Sequence, residues 1–503
     1  MADKEGLLPF KLIEDESGEA LTSFGGLPLV VETCEALGLA GLVNRHVRIK
    51  QRDRGYSESK YVESVIALIA AGGDCLDDME LIRSDAGLKL LLGEMPSAEA
   101  VRFFLYAFHD EKLLEGRPKE GAFIAEEGKP LKGLWEVNRG VVLKASRGER
   151  PKQATIDQDA TVIESHKEES RWTYLGEPGY QPVINYWAVK DLILSDEFRD
   201  GNVPAGMDCL SSFLRAASCL PQSVETIYFR SDRAAYQHKL LDVLREGVEL
   251  HRKKVPVYFA ISADVSEALK GKIASVSEPA WKPLRKLSEK GLIEGRKEWA
   301  EVEFIPSAPS VKKDMKPDRY LAIRVRPAQG DLFGDGNAYH YYAVVTNRWE
   351  LDGEELLRWQ RERCGSVEKV HDVVKNDLAG GVMPCGRFFA NAAWWRLNCL
   401  CYNVISVMKR KALPKAFWPA RMKALRFHLI GVAGKVVSHA RSTFLKITEG
   451  LICYREARSH LLEFSSAYGS GVYNRTGRQA EPINRGTTES FASNAPKIAF
   501  ETL

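Results

Sequence analysis

The chain lacks the features that mark several protein classes. Its nine cysteines are spread over 503 residues, their number is odd, and no two form a CxxC pair. That argues against a disulfide framework or a zinc site and for reduced thiols in the cytosol. The start, MADKEGLLPF, has no basic segment leading into an apolar run, so no signal peptide is expected. No long apolar run is free of polar residues. The most apolar stretch, 388–408, is interrupted by Asn391, Arg396, Asn398 and Asn403 and reads as a buried or amphipathic helix, not a membrane span. One-signed charge is also missing: 71 Lys and Arg face 68 Asp and Glu, a net of +3. Bulk charge therefore says nothing about nucleic acid, and only its distribution can. There is no internal repeat. What remains is an ordinary globular composition, 45% hydrophobic and 28% charged. At roughly 150 residues per domain, the length suggests about three domains.

Residues 1–150 read as helical, with helical apolar spacing over 27–47, 60–72 and 98–114. The character changes near 151. ATIDQDATVI (154–163) alternates like a strand, and RWTYLG (171–176) and QPVINYWAVKDLIL (181–194) complete a predicted three-strand meander. A helix near 205–219, a strand at 224–232, a helix at 236–246 and a strand at 255–263 follow. This alternation predicts an α/β fold with a mixed sheet and helices packed on it. Residues 266–338 break the pattern. They are rich in Lys, Glu and Pro, with β-like pieces at 298–304 and 319–328, and read as an insertion with strands of its own. One more strand is expected at 339–348, then a long helix over 353–378, N-capped by Asp352 and closed by Gly380–Gly381. The chain is expected to be helical from 388 to about 460. The tail after 465, rich in Gly, Ser, Asn, Thr and Arg, reads as disordered.

The acids at these transitions carry the chemistry. Asp157 and Asp159 lie two apart in one strand, so both project from one face. Asp232 sits at the C-terminal end of a strand, where α/β sheets place ligands, and Glu368 lies within the long helix. Carboxylates converging from separate elements suit hard divalent cations. Each acid alone has a plain explanation: a sheet-edge or turn residue for the Asp pair, an N-cap for Asp232, a solvated helix position for Glu368. Their surroundings and order change that. The strings IDQDAT (156–161), YFRSDRAAY (228–236) and RCGSVEKVHDVVKNDLAGG (363–381) follow one another on strand, strand end and helix.

In these strings the sequence resembles the DDE insertion-sequence transposases, specifically the thirteen-eighty family and its relatives in insertion-sequence family four. Asp159-Ala160-Thr161 matches the group's Asp-small-Thr motif. Phe229-Arg230-Ser231-Asp232 matches its aromatic-Arg-small-Asp run, and Glu368 with Lys375 matches its Glu and following Lys. The 136 positions from Asp232 to Glu368 leave room for the group's β-rich insertion. One element departs: where relatives carry Tyr and Arg seven and four residues before the Glu, this chain has Arg361 and Cys364, with Arg363 one residue out of register.

The resemblance implies an RNase H-like core built from 151–265 and 339–408, the latter with the catalytic helix. The β-rich insertion at 266–338 interrupts this core, and helical regions flank it. It also implies DNA-end binding by 1–150. Asp159, Asp232 and Glu368 would bind two Mg²⁺ ions, with Mn²⁺ able to substitute, and Asp157 is the reserve first ligand. Helical geometry places Arg361, Glu368 and Lys375 on one face, since seven residues make nearly two turns. Lys375, with Arg361, would then hold a phosphate, and Arg230 is a further DNA-contact candidate. His371 reads mainly as a structural helix residue, and Trp281 and Trp299 as core of the insertion.

A basic region at 409–465 supports a DNA partner. Between 409 and 458 twelve Lys and Arg, beginning with Lys409, Arg410 and Lys411, are opposed only by Glu449 and Glu456. The implied partners are the double-stranded terminal inverted repeats and target DNA, held by a homodimer. The implied location is the bacterial cytoplasm, at the nucleoid when bound, with no membrane. The alternatives are a metal-dependent nuclease of the same core without strand transfer, and a DNA-binding derivative that has lost catalysis.

Overall fold

The computed structural model describes residues 20–50, 54–288, 291–293, 296–306, 318–326, 339–440, 442–447 and 451–467. One nine-stranded sheet organises them; its strands are numbered β1 to β9 in chain order. The alternating segment at 154–160 becomes β1 (Gln153–Ala160). On one side β2 (Val183–Trp187) and β3 (Leu192–Glu197) follow antiparallel. On the other side β4 (Thr226–Ser231) runs parallel to β1, and β5 (Val257–Ala263) parallel to β4. Parallel neighbours need crossovers, and the helices Cys209–Ala217 and His238–Glu246 provide them. The order β3-β2-β1-β4-β5, with only β2 reversed, is the RNase H-like arrangement.

The sheet does not stop there. β9 (His340–Thr346) pairs antiparallel with β5. Beyond it lie β8 (Arg319–Val325), β7 (Lys297–Val302) and the short edge strand β6 (Lys282–Pro283). The inserted strands therefore extend the core sheet; among the described residues of the insertion, only the hairpin Lys286–Ser288/Gly291–Ile293 pairs apart from it. Trp281 and Trp299 are both buried in this extension. Trp299 helps form a second apolar cluster with Leu284, Leu321, Leu356 and Leu357, which seats the helix Gly353–Arg361. Gly353 is needed for that seat, because a Cβ there would lie 2.2 Å from the Trp299 ring.

Two expectations are corrected. The 171–176 segment is not in the meander. Arg171–Trp172 pairs with Pro178–Tyr180 in a small separate sheet, because the Gly176–Gly179 turn closes locally. The third meander strand comes from 181–194, which splits at a turn where Asp191 takes φ +57°. The stretch from 388 to 460 is not all helical either. Gly434–His439 and Ser442–Ile447 form a hairpin that pairs with Ala20–Thr22 near the other end of the chain. Its β-branched residues, Val436, Val437, Thr443 and Ile447, favour the pleated form that the basic composition conceals. The expected disordered tail lies almost wholly outside the described residues.

Helix Phe388–Val407 is the axis of the core: 19 of its 20 residues are buried. It packs on β3 and on the helices Leu27–Ala36, Glu58–Ala71 and Lys129–Ala145, so the N-terminal helices and the sheet share one apolar core. Among the described residues no single helix is long and apolar enough to cross a membrane. The polar residues that interrupt this helix tie it down. Asn403 accepts from the Ile193 N–H at 2.7 Å and donates to the Ile193 carbonyl at 2.8 Å, so it satisfies backbone groups of the edge strand β3. Arg396 is buried between Asp196 (2.9 Å) and Glu127 (2.7 Å). Burial alone would raise the Glu127 carboxyl; Arg396 and Arg215 overcome this and hold it at about 2. Removing one member of such a buried network leaves uncompensated charge. Arg396→Met is expected to cost about 3–5 kcal/mol, read as a lowered denaturant midpoint. An unchanged midpoint would show that the network is dispensable.

Candidate active site

β1 and β4 are parallel, so their C-terminal ends meet at one side of the sheet, the place where such sheets bind ligands. Asp159 is next to last in β1, and Asp232 follows the last residue of β4. Asp232 also caps the turn Arg233–Ala235, accepting from the Ala234 N–H at 3.0 Å. Glu368 is exposed near the start of the helix Val367–Asp372. Burial raises the Asp159 carboxyl to about 6. Arg363 pulls against that rise, while Asp232 and Glu368 add to it. Asp232 and Glu368 thus stand close enough to Asp159 to oppose its ionisation.

Asp157 is different. It is completely buried, and its partner across the register is Arg230. Arg230 donates Nε and Nη2 to its two oxygens at 2.6 and 2.9 Å, and the Ser366 hydroxyl donates to the second. This carboxylate is committed, which removes Asp157 as a reserve metal ligand. Arg230, expected to touch DNA, is buried as well. Its Nη1 donates to the Trp359 carbonyl at 2.6 Å and to Glu362 at 2.9 Å. A cation closed in by its own strand neighbour and by the following helix has no face for a phosphate.

The long helix is not continuous. Asp352 caps it as expected, accepting from the Glu354 N–H at 3.0 Å, and the N–H groups of Gly380 and Gly381 close it on the Val374 and Lys375 carbonyls. Between these ends the α-helix stops at Arg361 and tightens through Glu362–Gly365. It breaks at Ser366 (φ −109°, ψ −83°), resumes over Val367–Asp372, and widens to a π-turn over Val373–Asp377. Gly365 and Ser366 are weak helix formers, and Ser366 uses its hydroxyl on Asp157.

The seven-residue spacing of Arg361, Glu368 and Lys375 therefore does not define one helical face. The cation at Asp159 is Arg363, at 3.2 Å, the residue that motif register alone sets aside. Arg361 is half-buried and forms no ion pair with a described residue. Lys375 reaches back to the end of β1, donating to the Val162 carbonyl at 2.6 Å and to Thr161 Oγ1 at 3.3 Å. His371 is buried with Nε2 3.8 Å from Asp159; burial, then the charge of Lys375, pushes it down to about 3, so it stays neutral. The Gly365–Ser366 pair was the sequence signal for the break, and with it for Arg363.

The basic region is less open than its composition suggests. Lys411 pairs with Glu149, Arg421 with Asp372 and Asp377, and Arg458 with Glu32. Arg426 donates to the carbonyls of Ile69 and Ala70. Lys409 and Arg410 turn inward toward Asp191, at 4.0 and 3.8 Å.

Three hard oxygen donors, two of which raise the proton affinity of the third, Asp159, fit a divalent cation. They are not the tightest acidic groups among the described residues. Asp74, Cys75 and Asp78, and Glu164, His166 and Glu177, each bring their ligand atoms within 4.8 Å of one another. The carboxylates of Asp159, Asp232 and Glu368 lie instead at two parallel strand ends facing a helix, with Arg363 already against Asp159. The family model described as transposase DDE domain group 1 matches residues 10–465. The chain belongs to this transposase family. It is a DNA-cleaving and strand-transferring enzyme of a family that uses divalent metals. A solved piggyBac transposase, in a synaptic complex with hairpin DNA, is similar over 91% of this chain and 85% of its own. The identity is 8% and the TM-score 0.41. No curated protein matches.

The raised carboxyl of the transposase has a consequence for stability. A carboxyl whose folded value lies above its unfolded one stabilises the fold fully below the unfolded value and loses that contribution as pH rises through the folded one. For Asp159 the window runs from the ordinary 3.8 to about 6. Without metal, Asp159→Asn should therefore melt above the wild type at about pH 7.5, and the gap should close as pH falls through this window. A variant that melts lower than the wild type at the higher pH would contradict the burial argument.

Proposed function

We propose that Asp159, Asp232 and Glu368 are the catalytic triad of this transposase and that they hold two Mg²⁺ ions, for which Mn²⁺ can substitute. The observation that carries this reading is the convergence of Asp232 and Glu368 on the raised carboxyl of Asp159. When bound, such ions activate the attacking oxygen and neutralise charge on the leaving one. Asp159 serves as the first ligand, since Asp157 is already engaged by Arg230 and Ser366. Arg363 takes the position expected of Arg361. The Arg363 guanidinium, which lies against Asp159, would offer its donors to a phosphate oxygen of the scissile strand. Lys375 holds the end of β1 through Val162 and adds positive charge beside the reacting strand. His371, neutral and buried, excludes water behind Asp159.

The substrate is the double-stranded DNA at the inverted-repeat ends of a mobile element, joined to target DNA by a homodimer that holds both ends. The closer kinship proposed is with the thirteen-eighty family, on the motif residues already named. The site of action is the bacterial cytoplasm, at the nucleoid.

Asp159→Asn, Asp232→Asn and Glu368→Gln should each lower single-turnover cleavage of end DNA by at least about a thousandfold, roughly 4 kcal/mol. Gel-shift affinity for the same DNA should stay nearly constant. Retention of cleavage by Asp159→Asn would remove it from the triad.

A further inference from the structure

A cavity lies behind the broken helix. It has a volume of about 430 Å³ and is bordered by Ser366, Lys369, Asp191, Lys409, Arg410 and Trp418, with Arg421 also at its wall. Ser366 belongs to the joint that Asp157 holds, so the cavity shares a wall with the catalytic element.

Its electrostatics are unbalanced. Four cations border it, and Asp191 is the one carboxylate among its lining residues. Arg421 is matched by Asp372 and Asp377. That leaves Lys369, Lys409 and Arg410 to share Asp191, which already accepts from the hydroxyls of Tyr186 and Tyr402. Burial, and then the nearby Lys369 and Arg410 against the pull of Asp191, weaken the hold of Lys409 on its proton. The volume exceeds what a bare phosphate fills and lies in the range of small-molecule sites, roughly 300–1,000 Å³. Part of the remaining wall is the indole of Trp418, whose face already attracts cations, with Arg410 at 5.5 Å and Lys415 at 5.9 Å.

We propose that this cavity is a binding site for one nucleotide unit, its phosphate held by Lys369, Lys409 and Arg410 and its ring against Trp418. Positively charged donors and an aromatic face are what a phosphate and a base require. The unit can belong to a DNA strand or to a free nucleotide, since both offer the same groups. The site deepens the DNA-binding role proposed above for this enzyme but does not rest on its cleavage chemistry.

The test is calorimetric titration of the Glu368→Gln full-length protein, which leaves the cavity intact, with deoxyadenosine monophosphate and, separately, inorganic phosphate. The nucleotide should bind one per chain, and phosphate alone about tenfold more weakly, roughly 1.4 kcal/mol. Lys369→Met and Trp418→Ala change exposed side chains. Each should weaken the nucleotide by about tenfold or more while the melting temperature holds. Competition by a short single-stranded oligonucleotide assigns the unit to a strand; its absence assigns a free nucleotide. The proposal is overturned if the nucleotide does not bind at millimolar concentrations, or if both variants bind it as the parent does. Failure of the wild type to cleave end DNA would count against the triad and leave this titration unaffected.

Discussion

The active face depends on one buried rung of the sheet. The parallel register of β1 and β4 sets Asp157 opposite Arg230, out of reach of water. Losing either half would strand a charge, at a cost of about 3–5 kcal/mol. One step along the same face, the register brings Asp159 and Asp232 to the adjacent strand ends, where β4 supplies no second arginine. The lower rung is neutral and closed; the upper rung is negative and partly open. Two aspartates with the same alternation therefore have opposite fates, decided by what the neighbouring strand carries.

The closed rung also controls the third acid. Asp157 takes the Ser366 hydroxyl, and Arg230 takes the Trp359 carbonyl and Glu362. Both ends of the joint between the helices Gly353–Arg361 and Val367–Asp372 are thus tied to the strands that bear Asp159 and Asp232. The first of these helices is seated on the extended sheet by Trp299 against Gly353. The inserted strands therefore contribute to where Glu368 lies. Side-chain positions that hold a reacting centre need this kind of support, because a displacement of about 1 Å can cost on the order of a hundredfold in rate.

Much of this was legible in the sequence, and the remainder was not for identifiable reasons. Strand alternation and turn residues mark β1, β4 and β5, and an acid at a strand end is visible without coordinates, so Asp159 and Asp232 stand out. Glu368 was found through its surrounding motif. Fixed helical spacing then gave the wrong cation, since the break at Ser366 replaces Arg361 with Arg363 at Asp159. Arg230 and Asp157 could not be told from surface or metal-binding residues until the register paired them. Composition misled in part at 409–458, where four of the twelve lysines and arginines that look like an open basic surface, Lys411, Arg421, Arg426 and Arg458, are taken up by Glu149, Asp372, Asp377, Glu32 and backbone carbonyls. The hairpin at 434–447 completes its sheet with residues 20–22, a pairing no local pattern reveals.

The central claim is that the open rung, and not the closed one, binds metal. Anomalous diffraction from crystals soaked in Mn²⁺ tests it directly. The account predicts peaks within coordination distance of Asp159, Asp232 and Glu368, with Arg363 moved off Asp159 and the Asp157–Arg230 pair unchanged. A peak on Asp157, or Mn²⁺ bound elsewhere while the three carboxylates remain bare, would contradict it.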